Sequence, residues 1–376
     1  MTRKSIPAVF ARGGTSKGLI FLESDLPSSR DKWAPLFLTA MGSPDPSGRQ
    51  LNGMGGGVSS LSKICVVGPS RREDADVDYT FVQVQIRTAD LDFSGNCGNM
   101  ASAIGPFAVE QGLVDAADGE VTVRIHNTNT AKIIHSTFHV ESGEAIEEGD
   151  LSIPGVAGSS APVRLDFVSP GGATTGQLLP TGRVSDVLQT SHGEVFVSLV
   201  DAGNACVFVP AEAVGARGDE KPEQLEALPE VLAFLAELRE LGSIRMGIAT
   251  DREEARVRML VPLIAMVSPP QTFAALSGAT VCEDEIDITV RMISNGQPHR
   301  AIPMTGAICV AAAVRIPETV VSNTARAGGG PLRIGMPSGI LTVDADVDSV
   351  DGDPVIHSGA IFRTTRRLFR GDVTVS

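Results

Sequence analysis

Ser94-Gly95-Asn96-Cys97-Gly98-Asn99-Met100-Ala101-Ser102-Ala103 is a glycine-punctuated turn that runs into small, helix-tolerant residues. A strand-like run, Tyr79 to Ile86, leads toward it, with Val82, Val84 and Ile86 alternating against Gln83 and Gln85. That order predicts a strand, a tight turn through Gly95 and Gly98, and a buried helix with a cysteine in its first turn. Free backbone N–H groups at such a turn favour an anion, and so a thiolate over a thiol. The bland alternative is that Cys97 is a small buried apolar residue, the usual fate of a free cysteine.

The chain around this stretch has 376 residues, long enough for two domains. Its 42% hydrophobic and 20% charged content is that of a globular protein able to bury a core unaided. A net charge of −14 argues against nucleic-acid or anionic-membrane partners, which need basic surface. An anionic substrate would therefore need a locally positive site. Trp33 and Tyr79 are alone of their kinds, so base-stacking platforms are not expected. Five scattered cysteines without a Cys-x-x-Cys pair read as reduced thiols, and the expected location is cytoplasmic. Met1 to Phe10 lacks the apolar run of a signal peptide, and no stretch reaches membrane-span length.

Pro7 to Phe10 and Leu19 to Leu22 are β-like and flank Arg12-Gly-Gly-Thr-Ser-Lys-Gly18, a glycine-rich hairpin signature. Gly14 to Gly18 also fits a nucleophile-elbow pattern, but a strand-like run follows Ser16 where the elbow needs a helix. No phosphate-binding Gly-Lys-Ser/Thr spacing occurs. What remains is a polar loop whose backbone and Ser16 hydroxyl suit a carboxylate. Trp33 to Met41 reads as a helix stopped at Gly42-Ser-Pro44. Asn52 to Lys63 is a second glycine-serine loop before the β-run Ile64 to Val67, and Val58 spoils a dinucleotide fingerprint. Lys63 sits at the loop-to-strand junction, where its amine either lines a cleft or lies on the surface. His135 and His139 share a strand face without a third ligand, so no metal site is expected.

We expect the crossover to a second domain near Thr181 to Ser185. Val195 to Val200 then reads as a strand leading into Asp201-Ala-Gly-Asn204, a turn that can aim the Asn204 amide into a site. Leu228, Val231, Leu232, Leu235 and Leu238 follow helical spacing, with Gly242 expected just past the end. After the strand Ile286 to Met292 come His299 and Met304-Thr305-Gly306-Ala307-Ile-Cys309. This is a second small-residue turn entering a small-residue helix. Two halves that each end a sheet this way suggest a duplicated architecture with two helix N-termini facing one anionic ligand.

The stretches Arg12 to Gly18, Gly42-Ser-Pro-Asp-Pro46, Asn52 to Gly57 with Ser59 to Lys63, Asp92 to Asn99 and Thr305 to Cys309 come in one order along nearly the whole chain. Together they resemble the PrpF family of the diaminopimelate-epimerase-like superfamily. The resemblance implies an α+β fold of two similar domains, each a curled, mostly antiparallel sheet around a central helix. The active site would lie in the cleft between them. We place the domains at 1–182 and 183–369, with a strand at about 370–376 returning to the first. The family implies cofactor-independent isomerisation of small anionic unsaturated di- and tricarboxylates. No metal, nucleic acid or membrane partner is expected from spacing and charge, and a homodimer is the assembly to test. By position, Lys63 and Cys97 look like its proton-transfer residues. Thr15, Ser16, Ser59, Ser60 and the turn Met304, Thr305, Gly306 and Ala307 look like its carboxylate contacts. Asn96, Gly98, Asn99, Asn204 and His299 are further candidates from the reading of the residues, where turn chemistry for Asn204 and a structural hydrogen bond for His299 are the alternatives. Pro303 stands where epimerase relatives carry a second cysteine, so Lys63 inherits the partner role.

Allylic isomerisation removes a proton from a carbon conjugated to a carboxylate or ketone and returns one elsewhere on the three-carbon unit. It needs a base, an acid and donors for the charge that develops on oxygen. An amine or thiol serves at neutral pH only if burial or a positive environment favours its reactive form. 2-Methylaconitate-type cis-trans isomerisation is the expected reaction; 4-oxalomesaconate, methylitaconate and aconitate isomerisation are alternatives. Outside that class stand an amino-acid epimerase, which Pro303 opposes, and a non-catalytic carboxylate-binding protein.

Overall fold

The computed structural model describes residues 4–326 and 328–375. The chain packs as two units, Met1–Phe167 with Phe362–Ser376, and Val168–Ile361. No helix among the described residues is long and apolar enough to cross a membrane.

The first unit opens with strands β1 (Lys4–Gly13) and β2 (Ser16–Leu22), a hairpin turning at Gly14-Thr15. Helix α1 (Trp33–Met41) follows, with Trp33, Phe37, Ala40 and Met41 buried at helical spacing and Gly42 ending it at φ 75°. Strands β3 (Lys63–Pro69), β4 (Val77–Val84) and β5 (Leu91–Asp92) lead to α2 (Gly98–Ala101) and α3 (Ile104–Glu110). Strands β6 (Gly119–Asn127), β7 (Lys132–Glu141), β8 (Glu144–Ala145) and β9 (Pro162–Val168) complete the segment. β3 is buried along nearly its whole length, because Ile64 and Val66 pack with α1 while Cys65 faces the other way. The pairings run β1–β2–β3–β4–β6–β7–β9, and the chain's last strand joins β9 to β1, so this sheet closes on itself. Helix α3 packs against β6, β7 and β8 and is buried from Ile104 to Val109.

The second unit contains β10 (Asp186–Thr190), β11 (Gly193–Asp201), β12 (Ala205–Pro210), α4 (Pro222–Glu226), α5 (Pro229–Arg245) and α6 (Arg252–Val257). It continues with β13 (Leu263–Ser268), the short β14 (Phe273–Ala274) and β15 (Thr280–Val281), β16 (Ile288–Ser294) and β17 (Gln297–Pro298). Then come α7 (Met304–Arg315), α8 (Val320–Thr324), β18 (Leu332–Met336), β19 (Gly339–Val350) and the long β20 (Asp353–Val375), which belongs to the first unit from Phe362 on. Phe234, Leu235 and Leu238 of α5 cover a core of Val197, Leu199, Val207, Val209, Ile264 and Met266. α7 is buried from Gly306 to Ala313.

The same succession of pairings occurs in each unit. In the first, β1/β2 is antiparallel, β2/β3 parallel, β3/β4 antiparallel, β4/β6 parallel and β6/β7 antiparallel. In the second, β11/β12, β12/β13, β13/β16, β16/β18 and β18/β19 repeat that order. The helix entered through Cys97 and the helix entered through Met304 each follow the fourth strand of their series.

The structure differs from the sequence-based expectations in three places. The division between units falls at Phe167/Val168, ahead of the expected Thr181 to Ser185, and the return begins at Phe362. Residues 169–178 belong with the second unit because they wrap Asp201. The amides of Thr174 and Thr175 donate to its Oδ2, and its own N–H donates to Leu178 O. Gly242 lies inside α5, which runs on to Arg245; a Cβ there would meet Val207 Cγ2 at 2.5 Å, so the glycine permits close helix–sheet packing. The helix after Cys97 is broken, with four residues in α2 before α3 begins at Ile104. Pro106 in the first turn of α3 has no N–H to continue the ladder, and the Ser102 hydroxyl donates to Asn99 O at 2.7 Å.

Candidate active site

Lys63 is the first residue of β3 and is 8% exposed. The β2/β3 register sets it beside Gly18 and the β3/β4 register beside Gln83. Its Nζ donates to Gln83 Oε1 at 2.6 Å and lies 5.0 Å from the Phe81 ring centroid. Gln83 is oriented by chemistry, since lysine has no acceptor and must face the amide oxygen. The Gln83 amide nitrogen then donates to the carbonyl oxygens of Ser59 and Ser62 at 3.1 and 2.9 Å. Gln83 was legible only as the polar face of a strand, yet it ties the amine to the Ser59–Ser62 loop.

Cys97 caps α2, and its carbonyl accepts the Ala101 N–H at 2.8 Å. Cys97 as a residue is half-buried, whereas Cys65, Cys206 and Cys309 are buried. Cys65 lies within electrostatic reach of both proposed proton-transfer residues. Burial pushes its thiol well up; the Cys97 sulfur adds to this, while the Tyr79 hydroxyl and the Lys63 amine oppose it.

The hairpin turn closes on the same place. Asn99 Nδ2 donates to Thr15 Oγ1 at 3.1 Å. Gly14, at φ 52°, leaves room for that amide; a Cβ there would sit 2.3 Å from Asn99 Oδ1. Arg363, on β20, donates through Nε to Asn99 Oδ1 at 3.1 Å and through Nη1 to Phe362 O at 2.9 Å. Because arginine only donates, the Asn99 oxygen must face it and the amide nitrogen must face Thr15. Ser16 is buried, Thr15 and Ser59 are exposed, and Ser60, Asn96 and Asn99 are half-buried. Thr15, Ser16, Ser59, Ser60, Lys63, Asn96, Cys97, Gly98 and Asn99 thus all belong to the first unit.

The remaining expected contacts belong to the second unit. Asn204 sits in the β11/β12 turn, where Gly203 N–H donates to Pro170 O at 2.7 Å and a Cβ on Gly203 would touch Thr305. Met304 and Thr305 open α7, and Pro303 is its N-cap. A Cβ on Gly306 would meet Met292 Sδ at 2.6 Å. His299 hangs on β16 through its backbone N–H to Met292 O, and its buried Nε2 has no partner among the described residues. Burial lowers its basicity, so the ring is neutral at pH 7. Cys309 is one turn deeper than the Met304 turn and donates to Val200 O at 3.3 Å. No cluster of three His, Cys, Asp or Glu able to hold a metal occurs among the described residues.

The first unit thus holds a lysine amine at the start of β3, a half-buried cysteine at a glycine turn, and the hydroxyls and amides of Thr15, Ser16, Ser59, Ser60 and Asn99. The sequence of residues 3–376 matches the model of the family described as PrpF protein, and the chain belongs to that family. It is 39% identical over 98% of its length to 3-methylitaconate isomerase of Eubacterium barkeri, covering 97% of that protein. It is 38% identical to 2-methyl-aconitate isomerase of Cupriavidus necator, covering 98% of this chain and 97% of the relative. The solved structure of methylitaconate-delta-isomerase superposes at a TM-score of 0.92 with 39% identity, covering 100% of this chain and 96% of that one.

Proposed function

We propose that this protein is an isomerase that moves a proton along the allylic unit of a small unsaturated di- or tricarboxylate, using its own side chains and no cofactor. A 2-methylaconitate-type substrate is the first choice, with methylitaconate, 4-oxalomesaconate and aconitate as alternatives. What supports the reading is the Lys63 amine held by Gln83 at the start of β3 and Cys97 at the N-cap of α2, with Asn99 tied to Thr15, all in one unit. In this scheme one of the pair takes the allylic proton and the other returns or guides it. Thr15, Ser16, Ser59 and Ser60 hold one carboxylate.

Incubation with the four carboxylates in D₂O, followed by proton NMR, should show double-bond migration or cis-trans exchange with deuterium entering the allylic unit. Lys63→Ala and Cys97→Ser should each lower turnover by at least about a hundredfold, the scale of an acid–base group. Near-normal rates in both variants would sink the mechanism. Turnover should also survive dialysis against EDTA, because the scheme assigns no step to a metal; loss that returns with added divalent metal would refute it.

A two-thiol racemase fits less well. Pro303 caps α7 where that chemistry wants a cysteine, and the Cys309 sulfur is bonded to a core carbonyl.

A further inference from the structure

Arg363 is 9% exposed, and no carboxylate pairs with it among the described residues. Its bonded acceptors are the neutral Asn99 amide oxygen and the Phe362 carbonyl. Its aliphatic stem packs on the hairpin turn, where a Cβ at Gly14 would lie 3.1 Å from Arg363 Cδ. The neighbouring cation is handled differently. Arg12 donates to Gly14 O, Thr364 O and the Thr364 hydroxyl, and Glu147 lies within electrostatic reach of it. A buried guanidinium without a counter-ion is costly, and it persists where an anion answers it. In a chain of net charge −14, few places can present a positive field to an anion.

We propose that Arg363 is a positioning residue that supplies an uncompensated positive charge beside Cys97, drawing a negatively charged ligand to that thiol. This rests on the isomerase assignment only for the identity of the ligand, an unsaturated carboxylate. Burial pulls the guanidinium down to about 10, so it remains charged at neutral pH, and the Cys97 sulfur acts to hold its proton. The Cys97 sulfur also acts on the Cys65 thiol and the Tyr79 hydroxyl, both uncharged at neutral pH. Lys63, which acts on the same Cys65, contributes a second cation from β3.

The test compares alkylation of Cys97 in the intact protein by iodoacetate, an anion, and iodoacetamide, its neutral analogue, with the Cys97 peptide followed by mass spectrometry. The ratio of the two rates cancels the reactivity of the sulfur and reports the local potential. Arg363→Gln should lower that ratio by about tenfold, as expected for removing one unit charge at close range. Arg363→Lys should restore it to within about twofold of the wild type, which a merely structural role would not do. Arg363→Met, which keeps the stem, replaces Arg363→Gln if that variant does not melt cooperatively. An unchanged ratio in the folded neutral variant, or a loss that lysine does not restore, overturns the proposal. A wild type that turns over none of the carboxylates, yet loses the ratio in Arg363→Gln, would refute the isomerase assignment and leave Arg363 standing.

Discussion

The Lys63 amine has one side-chain acceptor, Gln83 Oε1 at 2.6 Å, and it is bound from the adjacent strand in register. Gln83→Leu should strand the amine and release the Ser59–Ser62 loop together. We expect turnover to drop about tenfold to a hundredfold, within the range of acid–base and orientation effects. Stability should fall by about 1–3 kcal/mol from the broken, partly buried hydrogen bonds. Unaltered kinetics in this variant would remove Gln83 from the site. His299 makes a prediction of opposite character. Its folded-state basicity lies below the ordinary value of 6.5, so the unfolded chain takes the proton first as pH falls. Stability therefore declines as pH drops below about 6.5 and owes nothing to this group above it. Urea melts at pH 7.5 and 5.5 should show a shallower pH dependence in His299→Leu than in the wild type. Equal slopes would mean that the buried Nε2 is not a liability.

Among the elements, α3 shows how tightly the closed sheet holds its central helix. A Cβ on Gly105 would lie 2.6 Å from Ser136 Oγ and 2.7 Å from Phe138 Cε1, both on β7. Gly105→Val must push the helix away from that strand, at a cost of about 1–3 kcal/mol from overpacking. The shift would also move Cys97, eight residues earlier, so the melting temperature and turnover should fall together. A variant as stable as the wild type would show that the helix has slack. The break between α2 and α3 belongs to the same scale. A run of small residues reads as one continuous helix, but Pro106 and the Ser102 hydroxyl divide it in two.

For the whole molecule, the informative element is β20, whose first part pairs with β19 and whose second part pairs with β1 from Gly13↔Thr365 to Lys4↔Val375. A fragment of residues 1–167 would leave β1 and β9 as open edges and lack Arg363, and exposed edges seek other partners. It should aggregate or fail to melt cooperatively, while the same fragment with 362–376 joined through a flexible linker should melt as a unit. Cooperative melting of the short fragment, by circular dichroism and size-exclusion chromatography, would contradict this role for the strand.

The sequence by itself determined the local pieces: the Gly14-Thr15 hairpin, α1 stopped at Gly42, the glycine turn that presents Cys97, and Lys63 at a strand mouth. Each is decided by residues a few positions apart, through turn chemistry and hydrophobic period. Motif order along the chain also pointed to the family. Tertiary structure alone decided who supports those residues. Gln83 reaches Lys63 across 20 positions, Arg363 reaches Asn99 across 264, and Asp201 gathers the Thr174–Thr175 loop from a strand beyond the expected boundary. Such partners leave no local period, because a hydrogen bond depends on where two backbones meet and not on the spacing of residues along either one.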